Sequence, residues 1–243
     1  MTNYRVDTLE LGTFTTESGE TINNLKLRYE HVGYKGQPLV VVCHALTGNH
    51  LTYGTDEKHG WWREIIDGGY IPRHDYQFLT FNVIGSPFGS SSKLNDPNFP
   101  QHLTLRDIVK AIEKGIKALD FDKINILIGA SLGGMQAMEL LYNNQFQIDK
   151  AIILAATGKT SSYSRAFNEI ARQAIHLGGK EGLSIARQLG FLTYRSSKSY
   201  DQRFTPDEVV TYQQYQGNKF KKNFDLQCYL TLLDVLDLSL IHI

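Results

Sequence analysis

INILIGASLGGMQAM, residues 124–138, begins as a buried strand and ends as a helix. Large apolar residues run up to Ile128, and then Gly129, Ala130, Ser131, Gly133 and Gly134 follow. A single hydroxyl sits among residues with almost no side chain. Gly129-Ala130-Ser131-Leu132-Gly133 fits G-x-S-x-G, in which a serine occupies a sharp turn from strand to helix. The chain must reverse within one turn, so bulky residues two places before or after the serine would strike the neighbouring strand and helix. The turn pushes the Ser131 hydroxyl outward at the start of the helix. The backbone amide of Leu132 points the same way and can stabilise an oxyanion. The string alone is weak, because glycine and serine often meet in loops. A buried strand before it and a helix after it are the context that the motif requires.

The flanks extend the pattern. Leu39 to Cys43 is a run of five apolar residues, suited to a strand buried on both faces. YQFLTFNVIGS repeats the theme with Gly85 as its stop, and DKAIILAATG adds a strand after the serine helix. LTLRDIVKAIEKGIKAL has helical spacing at Leu105, Ile108, Val109, Ile112 and Ile116, and Thr104 with Asp107 forms a capping arrangement. Strands alternating with helices imply a mostly parallel sheet covered on both faces. Before it, LGTFTTESGETINNLKLRYEHVG reads as antiparallel strands. From about Lys159 the segments SRAFNEIARQAIHLGG, EGLSIARQLGFLTYRS and PDEVVTYQQYQGNKFKKNFDLQCYLTLLDVL all read helical. The expected organisation is a core over residues 1–159 and a helical lid or dimerisation insertion over 160–237. The final LSLIHI, residues 238–243, reads as a non-native tail.

The whole chain sets bounds. It has 243 residues, 42% of them apolar and 21% charged, with zero formal net charge. That composition supports a large core, and the neutral balance argues against nucleic-acid binding. No apolar run reaches membrane-spanning length, and the N-terminus does not read as a signal peptide. Cys43 and Cys228 form neither a disulfide framework nor a metal pattern. The expected setting is the cytoplasm. A second oxyanion donor should follow an earlier strand, and VVVCHALTG stands in that place. The amide of Leu46 is the candidate. His44 reads as a structural histidine that bonds the loop, and Trp61-Trp62 as packing. GSPFGSSS lacks the Lys-Ser/Thr of a phosphate loop and is assigned to a loop bordering the active site.

Together the chain resembles the α/β-hydrolase fold and, more narrowly, the homoserine O-acetyltransferase family. Five stretches carry the likeness: CHALTGN at 43–49, GWW at 60–62, FNVIGSPFGSSS at 81–92, GASLGGMQAMEL at 129–140 and ARQLGFLTYRS at 186–196. The resemblance implies a ping-pong transfer. Ser131 takes the acetyl group from acetyl-CoA, with no bound cofactor or metal, and the hydroxyl of L-homoserine receives it. This is the first step from homoserine towards methionine. Arg187 and Tyr194 match the family's substrate-site arginine and tyrosine. They stand seven residues apart, about two helical turns, so on a helix they share a face. Arg195, next in line, then points elsewhere and is read as structural. The resemblance also implies a homodimer. A succinyl donor, a serine acceptor or a serine esterase remain alternatives, since all share the turn and the oxyanion hole.

The fold also needs an acid and a histidine after Ser131, in that order. Downstream stand only His176, inside the helical segment, and His242. Asp237 precedes His242 by five residues, too few for the intervening helix. The acid and base of the triad are therefore expected to be absent from this chain, along with the late strands. The expectation is an incomplete copy with poor activity.

Overall fold

The structure, a computed structural model, describes residues 3–238. In chain order its elements begin with β1 (Tyr4–Glu10), β2 (Phe14–Thr15), β3 (Thr21–Ile22), β4 (Lys26–Val32), β5 (Leu39–Cys43), α1 (Arg63–Asp67) and β6 (Gln77–Phe81). Next come α2 (Leu105–Ala118), β7 (Lys123–Ala130), α3 (Leu132–Asn143) and β8 (Gln147–Leu154). Four helices follow: α4 (Ser162–Thr193), α5 (Ser197–Arg203), α6 (Pro206–Asn223) and α7 (Leu226–Leu238). Six strands form one sheet in the order β1-β4-β6-β5-β7-β8. β1-β4 and β4-β6 pair antiparallel, whereas β6, β5, β7 and β8 run parallel. This is the mostly parallel, helix-covered sheet expected from the sequence.

The apolar runs explain the centre. Every residue of β5 and of β6 is buried, as a strand covered on both faces requires. One face packs Val41, Leu79, Leu127 and Ile116 into the main core, and the other packs Val40, Val42, Phe78 and Ile128 into a second cluster. α2 starts where its cap dictates. Asp107 N donates to Thr104 Oγ1 at 3.2 Å, and Thr104 N donates back to Asp107 Oδ2 at 3.0 Å, a reciprocal cap of the kind that contributes about 1 kcal/mol.

Strand order fixes where a ligand can lie. The chain leaves β5 towards β6 on one side and leaves β7 towards β8 on the other. Adjacent parallel strands with diverging connections open a crevice beyond their C-terminal ends. The β5–β7 register pairs Cys43 with Gly129, so the residues after Cys43 and those after Gly129 border the same crevice. β8 ends the described sheet, with Ile152, Ile153 and Leu154 exposed. Among the described residues no strand follows it.

The helical stretch holds one surprise. The two helical segments read between 164 and 196 are joined in α4, up to Thr193, except at Gly179, whose φ of 55° and ψ of −123° break it. Glycine is the residue that adopts such a backbone without strain. Apart from Leu238, which closes α7, the expected tail 238–243 with His242 lies outside the described residues.

Candidate active site

Ser131 sits between β7 and α3 with φ 55° and ψ −124°. A non-glycine residue there stores about 1–3 kcal/mol of strain, held by the surrounding packing. The packing is set by two glycines. A Cβ on Gly129 would lie 2.0 Å from Gly133 O, and a Cβ on Gly133 would lie 2.1 Å from Cys43 O. Both approaches are to backbone atoms that cannot swing aside. Their smallness lets α3 start directly against the ends of β5 and β7. Ser131 N donates to Leu154 O at 3.0 Å, which ties the turn to β8 as well.

Leu132 is the first residue of α3, so its N–H has no acceptor within the helix. Leu46 lies in the turn closed by Gly48 N to Ala45 O at 2.8 Å. That turn is pinned from two sides. Gln136 Nε2 donates to His44 O at 3.1 Å, and Val83 N donates to His44 Nε2 at 3.1 Å. With Nε2 accepting, the proton resides on Nδ1, which lies 2.8 Å from Ala45 O. His44 is fully buried, and burial pushes its imidazole down to about 4. It is a neutral structural histidine, as its place before the serine suggests. Gln136 was missed as a positioning residue in the sequence. It belongs to the GGMQ string, but only the fold reveals its reach to His44.

Ser131 and Leu46 line a cavity of about 510 Å³. Its walls come from α3, from 155–160 and from α4 and α7, including Met135, Phe167, Asn168, Tyr194, Arg195 and Tyr229. Tyr229, not singled out in the sequence, is buried, and burial pushes its phenol up, with Tyr194 adding to the rise and Arg187 opposing it. Tyr194 lines the cavity, whereas Arg187 is not among the residues that line it. Arg187 Nη1 lies 3.4 Å from Thr47 Oγ1, next to the Leu46 turn. Its guanidinium carbon lies 4.5 Å and 4.9 Å from the ring centroids of Phe191 and Phe220. Phe191 and Tyr194 are ring neighbours at 6.0 Å, so Arg187, Phe191 and Tyr194 share one helix face.

Two sequence readings need correction. Arg195 does not point away but lines the cavity. The helix ends at Thr193 with Tyr194 as its cap, and Ser196 caps the next one, so helical spacing does not govern Arg195. GSPFGSSS does not line the cavity. Its serines brace β4 instead, with Lys26 N donating to Ser91 Oγ at 2.9 Å and Arg28 N donating to Ser90 Oγ at 3.0 Å. The other downstream groups also lie elsewhere. His176 is exposed on α4, and Asp237 pairs with Arg172 and Asn168, both at 2.7 Å. Among the described residues the cavity wall contains no histidine or carboxylate.

A strained serine that lines a cavity at a sheet's switch point, in a turn from strand to helix, defines a protein of the α/β-hydrolase class. Residues 38–177 match the alpha/beta hydrolase fold family. A homoserine O-succinyltransferase of Hahella chejuensis is 32% identical, covering 92% of this chain and 70% of that protein. A homoserine O-acetyltransferase of Citrifermentans bemidjiense is 33% identical, covering 97% and 77%. The crystal structure of a homoserine O-acetyltransferase from Staphylococcus aureus superposes with a TM-score of 0.96 at 83% identity, covering 99% of this chain and 74% of that one. Esterase E22, at 19% identity and a TM-score of 0.76, shares the fold alone. The chain belongs to the homoserine O-acetyltransferase family of α/β-hydrolase proteins.

Two predictions follow from the turn and its loop. Ser131→Gly removes the strain and Ser131→Ala keeps it, so chemical denaturation should find the glycine variant more stable by about 1 kcal/mol. Equal stabilities would show that the turn is unstrained. His50, in the same loop, is buried with Nδ1 lacking a hydrogen-bond partner among the described residues. Burial, aided by Arg28, His44 and Lys58, pushes it down to about 3. The unfolded chain therefore binds this proton first, at about pH 6.5. The stability present above that pH is lost as pH falls towards about 3. Relative to His50→Gln, the wild type should lose about 1.4 kcal/mol per pH unit below pH 6.5. Parallel stability–pH curves would contradict the assignment.

Proposed function

We propose that the protein is a homoserine O-acetyltransferase that works by ping-pong transfer through Ser131. The observation that carries this reading is the strained Ser131 at the start of α3, opening into the cavity that Leu46 and Tyr194 also line. Ser131 Oγ attacks the thioester carbonyl of acetyl-CoA. The tetrahedral oxyanion is held by the N–H groups of Leu46 and Leu132, a contribution of about 3–4 kcal/mol per donor in such sites. The thiolate leaves as CoA, and an acetyl ester remains on Ser131. The side-chain hydroxyl of L-homoserine then attacks that ester and departs as O-acetyl-L-homoserine, leading into methionine biosynthesis. Acetyl-CoA is a co-substrate, not a bound cofactor.

Arg187 and Tyr194 hold the amino-acid substrate. A guanidinium can grip a carboxylate through two parallel N–H bonds, and the two rings flanking Arg187 restrict its orientation. Tyr194 adds a hydroxyl to the cavity wall. The helical residues 160–237 act as a lid that excludes water from the acyl-enzyme and as the surface through which two copies pair. The cytoplasm is the proposed place of action.

Mass spectrometry after incubation with acetyl-CoA alone tests the reading. An acetyl adduct on Ser131 should accumulate, be absent from Ser131→Ala, and discharge faster with L-homoserine than with water. No adduct, or rapid discharge by water alone, would replace transfer with hydrolysis or with no covalent chemistry.

A further inference from the structure

The cavity beside Ser131 has a neighbour. Leu192 and Arg195 line it and also line a second recess of about 580 Å³, bordered by α5 and the start of α6. The two spaces share this wall, and Arg195 stands in it. Its Nη1 is buried and has no hydrogen-bond partner among the described residues. Its guanidinium carbon lies 6.0 Å from the Tyr200 ring centroid. A buried charged donor without an acceptor is costly, and two arginines of the preceding helix α4 avoid that state. Arg172 binds Glu169, Asp234 and Asp237, and Arg187 lies against two rings and Thr47. Arg195 is thus poised for an acceptor that the described chain does not supply.

The rest of the recess narrows the choice of acceptor. Its polar lining is Arg195, the hydroxyls of Ser197, Tyr200 and Thr205, and one carboxylate, Asp201. Leu192, Phe204, Pro206 and Val209 add apolar surface to the same recess. An arginine with an unpartnered N–H, set among hydroxyls beside an apolar wall, suits a long arm that ends in phosphate. An acetyl group and a homoserine would leave much of a 510 Å³ cavity unfilled, and the donor's arm needs a way out of it. We propose that the second recess is the path of the acyl donor and that Arg195 bonds a phosphate of coenzyme A. Guanidinium geometry matches phosphate through paired N–H bonds. The inference rests on the acyl-transfer reading of Ser131 and adds a donor-binding residue, separate from the Arg187 and Tyr194 assigned to the acceptor.

Calorimetric titration with CoA and with pantetheine, which has no phosphate, tests it on the wild type, Arg195→Gln and Arg195→Lys. Arg195→Gln should weaken CoA about tenfold, leave pantetheine unchanged and be partly rescued by lysine. Raised salt should weaken CoA more in the wild type than in the glutamine variant. Equal CoA affinity in wild type and Arg195→Gln would overturn the inference. So would equal losses for CoA and pantetheine. If the wild type binds no CoA, the acyl-transfer reading itself fails, and this inference with it. Should Arg195→Gln not fold, Asp201→Asn reads the same field with opposite sign. Tighter CoA binding then supports the inference, and unchanged or weaker binding overturns it.

Discussion

The contact on which the site depends is between backbones. Gly133 at the start of α3 lies so near the end of β5 that a Cβ would come within 2.1 Å of Cys43 O. Gly129 at the end of β7 is equally close to Gly133 O. The β5–β7 register sets Cys43 beside Gly129, and the two glycines let the helix settle into that corner. Three consequences follow together. Ser131 is forced to a positive φ, Leu132 opens α3 with an N–H that has no acceptor within the helix, and Gln136 comes within reach of His44 O. Remove the closeness and the hydroxyl, the helix amide and the Leu46 turn lose their common reference.

Much of this frame was legible because it rests on local physics. The apolar runs at Leu39–Cys43 and before Gly129 mark strands covered on both faces, and both lie centrally in the sheet. Thr104 and Asp107 fix the start of α2 through bonds three residues apart. The glycines around Ser131 betray a close approach even before the partner backbone is known. What the sequence hides is long-range. Ser90 and Ser91 meet β4 more than sixty residues away in the chain, so a loop that resembles a site border also serves as a brace. Arg195 was misread for a different reason, since a helical wheel was extended past Thr193, where the helix stops.

The charged side chains of the helical stretch show how one element can divide roles. Arg172 is committed to three carboxylates from α4 and α7, a network that joins the last described helix to the first of the four. Arg187 is stacked between rings beside the Leu46 turn. Arg195, in the break between α4 and α5, meets the cavity itself. Their spacing along the chain says little about this division; the partners each one finds in space decide it. In the proposed reaction the helices thereby bring substrate recognition to a nucleophile that the sheet positions.

The most direct measurement is the rate of Ser131 acetylation by acetyl-CoA in Gly133→Ala compared with wild type, with circular dichroism to establish that both are folded. The added methyl must push α3 away from Cys43 O, and a displacement near 1 Å in such a site can cost about a hundredfold in rate. The account predicts a folded variant slowed by about that factor. A folded Gly133→Ala protein that acetylates at the wild-type rate would contradict it.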